Sequence, residues 1–104
     1  MGSQVLIVGS GGREHALAMG LSISKFVDSI HIAPGNAGTS EIGTNHNVAA
    51  SDIDGIVQLS KELGIDLVVV GPENPLVGGL AQKIRDEGIL CFGPHSEGAM
   101  LEGS

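Results

Sequence analysis

Val5-Leu6-Ile7-Val8-Gly9-Ser10-Gly11-Gly12-Arg13-Glu14-His15 is the stretch on which the fold turns. Its four consecutive branched aliphatic residues suit a strand buried on both faces, as in a parallel sheet. The glycines that follow let the chain turn tightly and let its backbone approach a ligand. Beyond them the apolar spacing changes to that of a helix. Gln4–Val8 therefore reads as a strand. A helix follows from about Arg13 to about Ser24, with Ala16, Leu17 and Leu21 on one face.

The same alternation continues to the end of the chain. Ser29–Ala33 reads as a second strand, ended by Pro34-Gly35-Asn36, with a polar loop over 35–45 and a short strand at His46–Ala49. Ser51 is an N-cap, and Asp52 and Asp54 suit the first turn of the helix that follows. Ile53, Ile56, Val57 and Leu63 share a face of that helix, and Gly64 supplies a left-handed stop. Asp66–Val70 is a strand, Gly71-Pro72-Glu73-Asn74-Pro75 a turn, and Leu76, Val77, Leu80, Ala81 and Ile84 trace a helix that Gly88 ends. Ile89–Phe92 is a further strand, followed by Gly93-Pro94 and a last helix capped by Ser96. Ala99, Met100 and Leu101 of that helix need an apolar partner.

Strands alternating with helices imply right-handed crossovers. The expected fold class is α/β, a three-layer Rossmann-like domain with a mostly parallel sheet of about five strands. In such sheets ligands bind beyond the carboxyl ends of the strands. Loops 9–15, 33–39 and 71–76 all fall there.

Composition narrows the function. The 104 residues make one domain, with 5 Lys+Arg against 12 Asp+Glu and a net charge of -7. That charge offers no basic field for nucleic acid, and a chain with no Trp or Tyr has few platforms for stacking bases. At 41% hydrophobic and 16% charged residues it does not have the profile of a disordered chain. A single Cys excludes a disulfide framework and suits a reducing, cytoplasmic setting. Val5–Val8 is too short for a membrane span or a signal segment.

Gly11, Gly12 and Arg13 head a helix after a strand, where free amides, the helix dipole and a guanidinium favour a phosphate. Glu14 stands where the dinucleotide fingerprint wants its third glycine, and Ala33-Pro34 stands where a ribose carboxylate would be, so NAD is not the expected ligand. His15 is placed to orient a ligand at the same turn. Pro34-Gly35-Asn36-Ala37-Gly38-Thr39 could close over a sugar phosphate, although an ordinary Pro-Gly turn reads the same way. Pro72 and Pro75 restrict the backbone around Glu73, whose carboxylate suits hydroxyl or amine donors. His31 reads as structural, His46 and His95 as surface residues, and Cys91 as a buried inert hydrophobe. No zinc spacing and no nucleophile–base pair is readable.

Together VLIVGSGGREH at 5–15, APGNAGT at 33–39, VVVGPENPLV at 68–77, FGP at 92–94 and LEGS at 101–104 resemble the N-terminal domain of the phosphoribosylamine–glycine ligase family, also called glycinamide ribonucleotide synthetase. The resemblance spans essentially the whole chain. It implies a pre-ATP-grasp domain: residues 1–104 as the N-terminal substrate-binding domain of a longer ligase, with the ATP-grasp and C-terminal domains outside this sequence. The family enzyme joins 5-phosphoribosylamine to glycine with ATP, giving glycinamide ribonucleotide, ADP and phosphate in de novo purine synthesis. Its partners would be those substrates and the missing domains, with no nucleic acid and no membrane. ATP and Mg²⁺ or Mn²⁺ would be held by the later domains, so no catalytic residue, metal ligand or cofactor is expected on this fragment, which alone would be inactive. Carried over by motif, Gly11, Gly12 and Arg13 would face the 5′-phosphate, and Glu14 and His15 would line or brace that turn. Pro34, Gly35 and Asn36 would close one side, and Pro72 and Glu73 would sit near the ribose or amine. Asn74, where the family often has Ala, and Gly79 within a helix depart from the pattern. In some eukaryotes the same domain opens a multifunctional purine protein. The alternative reading is a free-standing sugar-phosphate or nucleotide-binding module without catalysis.

Overall fold

The computed structural model describes residues 3–9, 11–70 and 77–92, with the side chains of Arg13 and Val77 left out. The turn holding Pro72 and Glu73, the Gly93-Pro94 step, His95 and the helix expected from Ser96 lie outside the described residues.

Five strands form one all-parallel sheet: β1 (Ser3–Gly9), β2 (Val27–Pro34), β3 (Thr44–Asn45), β4 (Leu67–Val70) and β5 (Leu90–Phe92). Their order is β3-β2-β1-β4-β5. The central place of β1 explains its composition, since Val5, Leu6, Ile7 and Val8 are all buried and have neighbours on both faces. Val5 and Ile7 join Ala18, Ile30 and Ile32 in one core layer. Leu6 and Val8 join Val68, Ile56, Leu80 and Ile84 in the other. Helix α1 (Gly12–Ser22) covers the first face, and α2 (Ile53–Leu63) and α3 (Val77–Asp86) cover the second. The strand order therefore reverses at β1, the switch point where doubly wound sheets open a crevice.

The helix stops are where the glycines place them. Gly64 adopts φ 66°, Ile65 N–H donates to the Ser60 carbonyl at 2.9 Å and Gly64 N–H donates to that of Lys61 at 3.3 Å. This is the Schellman arrangement, and buried Ile65 completes it. Gly88 ends α3 in the same way, at φ 80°.

Three local expectations are corrected. The cap of α2 is Asp52, not Ser51: its carboxylate accepts the Gly55 N–H at 3.0 Å, and its carbonyl accepts the first helical bond, from Ile56. The short strand is Thr44–Asn45, not His46–Ala49. Pairing with β2 ends when His46 N–H reaches the Ile32 carbonyl, and a Val48 N–H to His46 carbonyl bond then turns the chain away. On α1 the buried face is Glu14, Ala18 and half-buried Leu21, whereas Ala16 and Leu17 are exposed. From Ala16 to Leu21 that helix carries no polar side chain, so its spacing carried little contrast from which to choose a face.

Candidate functional site

The strand register sets the site. Val8 lies level with Ala33 on β2 and Val70 on β4, and Gly9 with Pro34. The carboxyl ends of these three strands therefore share one rim, with that of β1 in the middle. The Ala33–Pro34 peptide is cis.

Glu14 organises the first loop. It is 1% exposed, and its Oε1 accepts the Gly11 N–H at 2.6 Å. The side chain reaches back over the end of β1. A Cβ on Gly9 would stand 2.7 Å from both Cγ and Cδ of Glu14, and Gly9 has φ 143°, which L side chains rarely adopt. The acid that breaks the dinucleotide fingerprint thus fills the space above Gly9. Glu14 Oε2 is buried without a hydrogen-bond partner among the described residues.

This arrangement decides which amides face outward. Gly11 N–H is engaged by Glu14, and the first helical bond runs from His15 N–H to the Gly11 carbonyl at 3.2 Å. The amides of Gly12, Arg13 and Glu14 head α1, where a helix has no acceptor of its own to offer them. Among the described residues, a Cβ on Gly12 would meet nothing within 4 Å.

The second loop is tied to the first. Gly35 N–H donates to the Gly9 carbonyl at 3.0 Å, and Asn36 Nδ2 donates to the Gly11 carbonyl at 3.3 Å. Gly38 packs on the His15 ring, whose Cε1 would lie 3.0 Å from a Cβ there. Asn36 is therefore a strut between the loops, its Oδ1 also accepting Thr39 N–H at 2.9 Å. Fully buried Thr39 accepts Asn36 N–H on its hydroxyl at 2.7 Å. That hydroxyl also lies 2.9 Å from both the Asn36 carbonyl and Asn45 Oδ1, and Asn45 Nδ2 donates to the Asn36 carbonyl at 2.8 Å. Gly35, at φ 81°, leaves room for Asn45, whose side chain a Cβ would strike.

Of the expected site residues, the structure brings together Gly11, Gly12, Glu14, His15, Pro34, Gly35 and Asn36, with Arg13 placed by its backbone. Pro72 and Glu73 lie outside the described residues. Asn45 is the residue sequence reading missed. Its only signal was an amide at the end of a polar loop, and its role depends on contacts made nine residues away.

Several other described titratable groups have partners of their own. His31 Nδ1 and His46 Nε2 are 2.9 Å apart, so His46 is half-buried and paired rather than a surface residue. Burial, and next the His46 charge, push the His31 pKa below its ordinary 6.5. Cys91 is buried, and burial pushes its thiol up to about 11, as suits an inert residue. Lys61 and Lys83 pair with Glu87 and Asp54, and Arg85 Nη2 donates to the Cys91 carbonyl at 2.8 Å. Arg13 is the only Lys or Arg in the three rim loops. Among the described residues no group of three or more His, Cys, Asp or Glu could hold a metal, and no helix is long and apolar enough to cross a membrane.

The chain is similar to known proteins over nearly its whole length. The phosphoribosylamine–glycine ligase of Mycobacterium tuberculosis (strain ATCC 25618 / H37Rv) is 48% identical over 101 residues, covering 97% of this chain and 24% of the relative. That of Streptomyces coelicolor is 50% identical over 101 residues, with the same coverage. The human trifunctional purine biosynthetic protein adenosine-3 is 49% identical over 106 aligned positions, covering all of this chain and 10% of the relative. The chain spans about a quarter of the length of the curated ligases it matches. The family described as phosphoribosylglycinamide synthetase, N domain, matches residues 3–102, and the chain belongs to that family.

Proposed function

We propose that this chain is the N-terminal substrate-binding domain of a longer ATP-dependent ligase that joins 5-phosphoribosylamine to glycine in purine synthesis, and that it holds the phosphoribosylamine. The observation that carries this reading is the joining of two loops at the switch point, at the N-terminus of α1. A phosphate there accepts from the amides of Gly12, Arg13 and Glu14, where the helix dipole favours negative charge. Gly11 lies against it without a side chain, and the Arg13 guanidinium adds a charge-assisted contact. Glu14 and His15 hold the turn in shape, and Pro34, Gly35 and Asn36 wall one side. Pro72 and Glu73 serve the ribose hydroxyls or the amine.

The overall charge of -7 opposes an anionic ligand, so local donors must outweigh it. ATP and its Mg²⁺ or Mn²⁺ belong to the remainder of the ligase, whose chemistry makes an acyl phosphate of glycine for the ribosylamine nitrogen to attack. This reading also places the protein in the cytoplasm, where that pathway runs.

Titration with ribose 5-phosphate, followed by amide NMR, tests the reading. Shifts are expected at Gly12, Arg13 and Glu14 and should be lost in Arg13→Ala. The absence of shifts at these amides at millimolar ligand would overturn it. In the intact ligase, Arg13→Ala should chiefly raise KM for the phosphoribosyl substrate, and a selective loss of ATP binding would show that the site is misplaced.

A further inference from the structure

The contact between His31 and His46 is not used by the candidate site, yet it is joined to it. His31 Nδ1 and His46 Nε2 are 2.9 Å apart. The ring centroids are 5.0 Å apart, close to the most that such a contact allows, so the two nitrogens point at each other. The gap between them suits a shared proton and not a metal ion, which needs about 2 Å on each side. While the pair carries one positive charge or none, one nitrogen donates and the other accepts. Once both rings are charged, both nitrogens are N–H donors and the contact becomes a repulsion.

The contact spans one edge of the sheet. His31 lies on β2, level with Leu6 on β1 and Thr44 on β3. His46 directly follows β3, and its own N–H donates to the Ile32 carbonyl of β2 at 2.7 Å. The residue before it is Asn45, whose side chain reaches the Thr39 hydroxyl at 2.9 Å and the Asn36 carbonyl at 2.8 Å. Asn36 in turn donates to the Gly11 carbonyl at the head of α1. β3 is two residues long, and so short a strand holds its edge weakly by itself.

We infer that the His31–His46 pair is an acid-released latch: with at most one charge on the pair, the contact holds β3 and, through Asn45, the loop of Asn36 and Thr39 beside the turn of α1, and charging both rings lets them go. Because that loop walls the candidate ligand site, release would loosen the site in acid, a consequence that rests on the proposed function.

Burial, and next the His46 charge, hold the His31 pKa below its ordinary 6.5. The latch is therefore closed above pH 6.5 and opens as pH falls through the lowered value. The carboxylates on neighbouring elements are occupied or exposed. Asp28 on β2 accepts from Gln4 Nε2 at 3.3 Å, Asp52 at the head of α2 accepts the Gly55 N–H, and Glu41 ahead of β3 is exposed. None of them contributes to the shift of His31. Among the described residues, His15 on α1, packed on Gly38, is the other imidazole against this loop. Coupling is reciprocal, so each pH unit by which the contact delays the second proton is an about ten-fold weakening of the contact once that proton is bound.

Amide exchange and imidazole NMR on the ligand-free 104-residue chain, from about pH 7.5 to about pH 5, test the latch. The two rings should titrate in two steps, with His31 in the lower one. Protection of the Thr39 and His46 amides should fall about ten-fold or more across that step, while Leu6 and Ile7 in central β1 keep theirs. In His31→Gln the side-chain amide can still bond to His46 but gains no charge, so protection at Thr39 and His46 should stay level while His15 titrates as before. Unchanged protection across the lower step in the unaltered chain overturns the latch, as does the same loss in His31→Gln. Loss at Leu6 and Ile7 in the same step overturns it in favour of global unfolding, and independent titration of the two rings overturns it at its source. None of these readouts needs ribose 5-phosphate, so a failure of ligand binding falls on the proposed function alone.

Discussion

Gly9→Ala tests how the first loop is built. Gly9 ends β1 at φ 143°, and a side chain held in so sparsely populated a region costs about 1–3 kcal/mol. The new methyl would also stand 2.7 Å from Cγ and Cδ of Glu14. Glu14 is buried under it and cannot yield without losing its 2.6 Å bond from Gly11 N–H. A hydrogen bond to a charged group contributes about 1.5–3 kcal/mol. The expected loss is therefore about 2.5–6 kcal/mol, a large share of the roughly 5–15 kcal/mol that holds a domain folded. Urea unfolding followed by far-ultraviolet circular dichroism measures it, since the chain has no Trp or Tyr to report by fluorescence. The same substitution made in a Glu14→Ala background separates the two parts. With the carboxylate gone, only the backbone cost of about 1–3 kcal/mol should remain. If the penalty is the same in both backgrounds to within about 0.5 kcal/mol, Glu14 does not pack on Gly9 and the account of this loop fails.

Thr39→Val removes the hydroxyl at the centre of the second loop while keeping its volume. It leaves Asn36 N–H without its acceptor and should cost about 1–3 kcal/mol, with faster amide exchange over residues 36–45; protection equal to that of the unaltered chain would count against the network. Because the folded His31 pKa lies below 6.5, the unfolded chain binds the proton first as pH falls. This residue's contribution is thus fully present above pH 6.5 and is lost as pH drops through the folded value, so urea midpoints should rise with pH across that window and the rise should shrink in His31→Gln. Cys91 should resist maleimide at pH 8 in the native chain and react at once in urea; rapid native labelling would mean that the thiol is not buried as described.

Some of this architecture was legible in the sequence for identifiable reasons. The strand ends and helix stops depend on residues acting through their own backbone, such as Gly64 and Gly88 at positive φ, so they can be read one at a time. The α1 face was misread because Ala16, Leu17, Ala18, Met19 and Leu21 are all apolar, and burial of Ala18 rather than Leu17 was decided by packing on Val5 and Ile7. Ser51 and Asp52 are both good caps, and the choice fell to where the first helical bond starts. The pairing of His46 with His31 was invisible because it follows from the register of β3 on β2.

The candidate site divides in the same way. The sequence by itself determined that a strand, a glycine turn and a helix N-terminus would follow one another at residues 5–15, because an unbroken apolar run and glycine's backbone freedom are local properties. It also placed Arg13 as the only Lys or Arg in the rim loops. Only the tertiary structure decided that Asn36 reaches the Gly11 carbonyl across 25 residues of sequence. The contact exists because β2 lies beside β1 in a register that puts Pro34 level with Gly9. Which loops meet is set by strand order and register. These depend on how both faces of the sheet are covered, and no local run of residues carries that information.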